Sequence, residues 1–428
     1  MLSFYQKFKP LDLKEKIKSI KKFDGKFNNS ELEFVLNVLE NSKAKDIDYV
    51  KKLESLFCKK FKVKYAIACN SGTSGLHAAL FSLDIKKNDE VIVPGLAVVM
   101  DAYAAIHLGA KPIFCDVDPD TFLINAKEIE KKITKKTKAI ITVSLQGLPM
   151  DIDPIMKLAK KHNIKVIEDN AQDLLGKYKK RLSGFTGDIG VWSFENKKHL
   201  SGASEGGIIS TNNKSLAEKI RKFAGIGYKN MTAEGGRTSL AIETVQNPDY
   251  KRFDTIGLNY RMPQIVAAVA YAQLKSSKNI VNKRVTSAKY FREAIKGCDW
   301  LIEQKIPKNY SHSHYTFAVK YLKDKLKKKY SWKDIYKMYK SLGGDGFYGA
   351  CVPIHLEPSI KKYFVKNCKK CFKKCLKKKG CQSEGSLPVA EKIQKQIMQF
   401  KTNYRDPLIA KKKSLILKKL IKKIELSR

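Results

Sequence analysis

The chain has 428 residues, 43% hydrophobic and 10% aromatic, which is enough for a large core and two domains and too apolar for a disordered or fibrous protein. Its formal charge is +42, yet only nine of the 84 basic residues are arginines, and these are scattered. A nucleic-acid site would cluster arginine with aromatics on one face, so the lysine excess excludes nucleic acid as the expected partner and favours an anionic substrate.

The first residues carry no apolar run suited to secretion, and the longest such run, residues 91–100, stops at Asp101. A cytoplasmic protein with reduced thiols and no membrane association is therefore expected. Residues 1–45 form an N-terminal helical arm, in which Leu32, Phe34, Val35, Val38 and Leu39 recur at helical spacing after the possible cap Asn29-Ser30.

Residues 46–284 read as a large domain of alternating elements. Apolar runs at 65–69, 91–93, 112–115, 139–143 and 165–167 predict a mostly parallel central sheet with helices on both faces, an α/β fold. Ligands of such sheets gather beyond the carboxyl ends of the strands. An alanine-rich helix from Pro263 leads into a smaller C-terminal α+β domain, residues 285–428, which mixes a strand near 315–319 with basic helices. Cys368, Cys371, Cys375 and Cys381 crowd together there. Their spacing admits zinc or an iron–sulfur cluster, but no second paired motif completes a zinc pattern. A lysine-rich surface helix is the expectation, with no metal.

Three stretches carry chemistry. Asn70-Ser71-Gly72-Thr73-Ser74-Gly75-Leu76 follows the first strand and opens a helix, so its amides and hydroxyls suit a phosphate. It is neither a Walker loop nor a dinucleotide fingerprint, and alone it reads equally as a helix cap. Glu168-Asp169-Asn170-Ala171-Gln172 ends another strand, where a buried Asp169 needs a cationic partner. After Ser193-Phe194 come two adjacent lysines, Lys197 and Lys198, either of which could be an amine nucleophile.

Together with Glu205-Gly206-Gly207, Gly257-Leu258-Asn259-Tyr260-Arg261-Met262, the Asp116-Val117-Asp118-Pro119 turn and Pro353-Ile354-His355-Leu356-Glu357-Pro358, these motifs resemble the DegT/DnrJ/StrS family of pyridoxal-phosphate sugar aminotransferases. The resemblance covers most of the chain. It implies the aspartate-aminotransferase-like fold type I and pyridoxal 5'-phosphate as cofactor. The family's Schiff-base lysine lies four residues after the phenylalanine, which selects Lys198. Gly72, Thr73 and Ser193 would hold the cofactor phosphate, Asp169 would pair with the ring nitrogen, and Gln172 would lie near the ring hydroxyl. Asn259 would reach the phosphate from a neighbouring subunit, so a homodimer with shared active sites is implied.

The implied activity moves an amino group from glutamate or glutamine to a nucleotide-linked keto sugar, for surface polysaccharide or glycan biosynthesis. Tyr178, Lys179 and His355 are candidate sugar-side residues. The chain departs from its apparent relatives at three places. Val98 stands where many carry an aromatic that stacks on the ring, which leaves stacking to a residue such as Tyr103. The loop 200–207 is one residue longer, with Ser204 replacing a glycine. His199 follows Lys198, and a branch of the family that dehydrates deoxysugars uses histidine in place of the lysine. A dehydratase, or a non-catalytic regulator keeping the fold, is thus the alternative.

Overall fold

The computed structural model describes residues 27, 29–41, 47–235, 242–328, 330–367 and 384–426. The cluster Cys368, Cys371, Cys375 and Cys381 lies outside the described residues.

The central sheet uses seven strands: β1 (Tyr65–Cys69), β2 (Glu90–Pro94), β3 (Lys111–Cys115), β4 (Thr137–Val143), β5 (Lys165–Asp169), and, after a short hairpin of β6 (Lys177–Tyr178) and β7 (Arg181–Leu182), β8 (Ile189–Ser193) and β9 (Gly207–Thr211). Their order is β1-β9-β8-β5-β4-β2-β3. β9 runs antiparallel to both neighbours, and the other four pairings are parallel, so the mostly parallel sheet expected from the alternating pattern is present. Every residue of β2 and β9 is buried, as strands covered on both faces require. Neighbouring residues of one strand enter different cores. Ile67, Val191 and Ile209 join the cluster around Leu80 and Ile140, whereas Ala66, Ala68, Trp192 and Ile208 pack with Leu53, Phe57 and Ala267 on the other face.

The helix Asn29–Glu40 lies on this second face. The Phe34 ring is 5.6 Å from Tyr49 and 5.5 Å from Tyr271. Below it, the helix Tyr49–Phe61 starts at Asp48, whose carboxylate accepts from the Lys51 amide at 3.1 Å. Glu54 of this helix and Arg221 form a buried pair, with both guanidinium NH2 nitrogens at 3.0 Å from the carboxylate oxygens.

A second sheet is wholly antiparallel, in the order β10-β12-β14-β13: β10 (Leu301–Glu303), β12 (Thr316–Tyr321), β13 (Phe347–Gly349) and β14 (Ile397–Lys401). Trp300, Phe317, Phe400 and Tyr339 fill the core between it and the helices Trp332–Ser341 and Pro407–Glu425. The short β11 (Tyr310–Ser311) pairs with β6 and completes a separate three-stranded sheet, β11-β6-β7. The expected boundary at 284/285 falls inside the helix Ser277–Ala294. Val281 of that helix packs in the second-face core, and Ala288, Phe291 and Ala294 pack in the small-domain core. Among the described residues no helix is long and apolar enough to cross a membrane.

Candidate active site

The predicted motifs meet at the carboxyl ends of the parallel strands. The helix Gly72–Ser82 begins directly after β1, and Ser71 caps it: its hydroxyl accepts from the Ser74 amide at 3.1 Å, and the Ser74 hydroxyl accepts from the Ser71 amide at 3.1 Å. The first-turn amides have no partner inside a helix, so they are available to an anion. Gly72 packs directly on Ser193, the last residue of β8, and a Cβ there would stand 2.8 Å from the Ser193 Cβ. At Gly207, which opens β9, a Cβ would stand 2.7 Å from the Ser71 carbonyl. The two glycines let helix start, strand end and strand start close into one cradle. Thr73 is exposed at its mouth.

Beside the cradle, Asp169 ends β5. It is buried, and its Oδ1 accepts from the Ala171 amide at 2.7 Å. Lys198 faces it from a turn in which the Lys198 amide donates to the Glu195 carbonyl at 2.9 Å. Burial pushes the Lys198 ammonium below the usual lysine range, and Arg284 adds to the push, while Asp169, Glu195 and Asp101 oppose it. A lysine held this way is closer to a free amine at neutral pH than a surface lysine is. Arg284 also holds the turn itself: its Nη2 donates to the carbonyls of Lys197 at 2.9 Å and Lys198 at 2.7 Å, and its Nη1 donates to that of Tyr315 at 2.9 Å.

The neighbours of Lys198 point elsewhere. His199 is buried, with its Nε2 3.1 Å from the Ser313 carbonyl oxygen, and Lys197 is exposed, its Nζ 6.0 Å from the Tyr348 ring centroid. Within the loop 200–207, Ala203 adopts the left-handed region at φ +71°. Around it the Gly202 amide donates to the Phe194 carbonyl at 2.9 Å, and the Phe194 amide donates to that of Gly206 at 2.7 Å.

A cavity of about 460 Å³ opens over Lys198, and Val98, Gln172, Tyr315, Tyr348 and Arg284 contribute to its lining. Gln172 is oriented by accepting from the Gln146 amide at 2.9 Å. Val98 is 38% exposed. The Lys198 Nζ sits 4.9 Å from the Tyr315 ring centroid, so aromatic surface is at hand, but from β12's approach and not from Tyr103, whose hydroxyl pairs with Ser359. Asn259 is placed apart, in a second cavity of about 670 Å³ that also takes in Arg221, Tyr228 and Arg261. Its Oδ1 accepts from the Arg261 Nε at 3.1 Å. Tyr178 and Lys179 gather with Arg181 around Asp153, at 3.0 and 3.3 Å for the first two. His355 is fully buried, its Nε2 2.9 Å from Glu391. None of these last three lines the cavity over Lys198.

Sequence reasoning passed over Asp101, Arg284 and Tyr315. Asp101 had a signal: a single acid set between Val98-Val99-Met100 and Ala102 in an otherwise apolar stretch. Arg284 had one too, as an arginine in a chain where lysine is the ordinary cation.

The residues fit a phosphate-bearing cofactor with a basic ring nitrogen. The cradle leaves no room for a Cβ at Gly72, Asp169 is buried and acidic, and the buried Asp101 Oδ1 has no hydrogen-bond partner among the described residues. Comparison with known proteins agrees. The DegT/DnrJ/EryC1/StrS aminotransferase family model matches residues 26–399. An uncharacterised protein of Methanocaldococcus jannaschii is 34% identical over 318 residues, 73% of this chain and 78% of that protein. A GDP-perosamine synthase of Caulobacter vibrioides is 36% identical over 252 residues, 58% of this chain and 63% of that enzyme. An aminotransferase from Psychrobacter cryohalolentis shares the fold with a TM-score of 0.78 at 27% identity, over 94% of this chain and 98% of that one. On these grounds the chain belongs to the DegT/DnrJ/EryC1/StrS aminotransferase family and is a transaminase dependent on pyridoxal 5'-phosphate.

Proposed function

We propose that the protein transfers an amino group from glutamate or glutamine to a keto sugar carried on a nucleotide diphosphate, in the cytoplasm, for surface polysaccharide or glycan biosynthesis. The observation that carries this reading is the Lys198 amine, sunk at the strand ends opposite Asp169 and held below its usual range by burial. The GDP-perosamine synthase name of two relatives points to sugar amination. Lys197 and Lys401 around the cavity suit a substrate bearing phosphates.

In this reading the Gly72 and Thr73 amides and the Ser193 hydroxyl hold the phosphate. The Asp169 carboxylate pairs with the ring nitrogen, and Gln172 lies by the ring hydroxyl. Bound pyridoxal 5'-phosphate supplies an aldehyde for amines and a ring that withdraws electrons from the reacting carbon. Lys198 would be the amine that the aldehyde engages, and when not so engaged it would hold and move the proton of the reacting carbon, as a general base and then a general acid. Arg284 keeps the Lys198 peptide from drifting while the side chain changes partner.

The homodimer belongs to the same reading. Asn259 stands outside the Lys198 cavity of its own chain, and Phe253, Ile256 and Leu258 beside it are exposed, Ile256 at 94%. Such a patch suits a second copy that brings Asn259 to the first copy's phosphate. The dehydratase alternative gains no observation, because His199 is turned to Ser313.

Borohydride reduction of the cofactor-loaded protein, followed by peptide mass mapping, tests the assignment. The cofactor mass belongs on residue 198, survives Lys197→Ala and disappears in Lys198→Ala. A tag on another residue overturns it. A screen of nucleotide keto sugars with glutamate then tests the substrate class, with no amino sugar formed as the refuting result.

A further inference from the structure

Asp101 has no role in the reading above, and its setting is unusual for a carboxyl group. It is the second residue of the helix Met100–His107, which follows β2, and it is 1% exposed. Its carboxyl stands within hydrogen-bonding reach of that of Asp169, across the strand ends. Its Oδ1 is buried and has no hydrogen-bond partner among the described residues. Ionised carboxylates only accept, so a hydrogen bond between two carboxyl groups requires a proton on one of them. Two bare charges in contact without water would also repel strongly, as in the paired carboxyls of other buried sites.

Geometry chooses which group carries the proton. Asp169 receives the Ala171 amide at 2.7 Å and faces the Lys198 ammonium, both of which favour its ionised form. No backbone amide is directed to Asp101 among the described residues. The structure assigns the roles accordingly, and we propose that Asp101 is a positioning residue for the cofactor ring: it remains a carboxylic acid, donates its proton to Asp169, and keeps Asp169 ionised and fixed for the ring nitrogen. This deepens the proposed function and rests on it.

The electrostatics run the same way. Burial, then the charge of Asp169 and the bond to it, push the Asp101 carboxyl well above the usual range, with Lys198 opposing. Burial raises Asp169 as well, but the Ala171 amide, Lys198 and the bond from Asp101 pull it back. Behind Lys198 stand Glu195 and Arg284. On the helix of Asp101 itself, Tyr103 turns to Ser359 and His107 to His77, whose ring centroid is 5.8 Å away. Lys198 supports Asp169 with a charge only while its amine is free. When that nitrogen is committed to the cofactor, the Asp101 proton and the Ala171 amide are what the chain still offers.

The test starts with the protein stripped of cofactor. Infrared spectra at neutral pH, taken with Asp173→Asn as the reference protein because Asp173 is itself pushed up to about 7, should show the carbonyl stretch of a buried protonated acid that is lost when Asp101→Asn is added. Equilibrium dialysis with pyridoxal 5'-phosphate then compares variants. Asp101→Asn keeps an N–H donor for Asp169 and should bind within about threefold of wild type, whereas Asp101→Ala, which removes a hydrogen bond to a charged group, should bind about tenfold more weakly or worse. A reference spectrum without the acid band overturns the proposal, even if neither Asp101 variant folds. So does Asp101→Asn binding as poorly as Asp101→Ala. If the wild type itself takes up no cofactor, the proposed function fails, and the infrared band still decides the state of the pair.

Discussion

Gly72→Ala is the most direct probe of the proposed phosphate cradle. The new Cβ would stand 2.8 Å from the Ser193 Cβ and 3.3 Å from both its Cα and Oγ. Carbon atoms in contact prefer about 3.5–4.0 Å, so helix start and strand end must part by roughly 0.7 Å or more. Overpacking of this kind costs about 1–3 kcal/mol, and alanine in place of glycine in a helix returns up to about 1 kcal/mol, which leaves a net loss near 1 kcal/mol. Cofactor binding should suffer more than folding. The parting moves the Ser193 hydroxyl away from the Gly72 and Thr73 amides, and each hydrogen bond to a charged phosphate is worth about 1.5–3 kcal/mol, or roughly ten- to a hundredfold in affinity. Urea unfolding of the stripped protein and equilibrium dialysis with the cofactor separate the two effects. The double variant Gly72→Ala with Ser193→Gly removes the clash, so it should recover the folding stability but not the affinity, because the hydroxyl is gone. If Gly72→Ala lowers stability and yet binds the cofactor as the wild type does, the phosphate is held somewhere else.

Two further predictions concern stability. Glu54→Ala strands the Arg221 guanidinium, which is buried and otherwise bonded to the carbonyls of Ala66 and Ala233 at 3.2 and 3.3 Å, so a loss of about 3–5 kcal/mol is expected in denaturant melts, and a loss below about 1 kcal/mol refutes it. Asp173 is pushed from the ordinary 3.8 up to about 7 by burial. A raised folded-state value means that folding favours the protonated form. The resulting stabilisation is complete below about 3.8 and is lost as pH rises through about 7. Asp173→Asn should therefore gain in melting temperature relative to wild type as pH goes from 5 to 8, and a constant difference between the two proteins contradicts the assignment.

What could be read in the sequence was local. The strand runs were legible because buried β-branched stretches between turn residues have few other fates, and the helix start was legible because the motif itself carries serines suited to a cap. The spacing from Phe194 selected Lys198 only through resemblance. The geometry adds an independent reason, since Asp169 is opposite Lys198 while His199 is tied to Ser313. Contacts between distant parts of the chain were not legible. Arg284 reaches the Lys198 carbonyl across 86 residues, and Asp101 meets Asp169 only once β2 and β5 are both in the sheet with β4 between them. The expected boundary at 284/285 has no local mark for a related reason. One helix serves both cores, its first half in one and its second half in the other, so its sequence contains no break. Tyr178 and Lys179 were candidate sugar-side residues, and nothing local to them announced Asp153.

The same contrast explains the charge of the chain. Lysine is a point charge on a flexible stem, and most of the lysines among the described residues sit on exposed faces where any solvated cation would serve. Three of the few arginines do something a lysine could not. Arg221 meets both oxygens of Glu54, Arg292 meets both oxygens of Glu303, and Arg284 spans the carbonyls of Lys197, Lys198 and Tyr315. Each uses a planar fork of donors in a fixed geometry, and two of the three lie where no water could replace a missing bond. Among the described residues the excess of cations is therefore a property of the solvated surface. The electrostatics at Lys198 are set instead by one buried guanidinium behind it and the carboxyl pair in front.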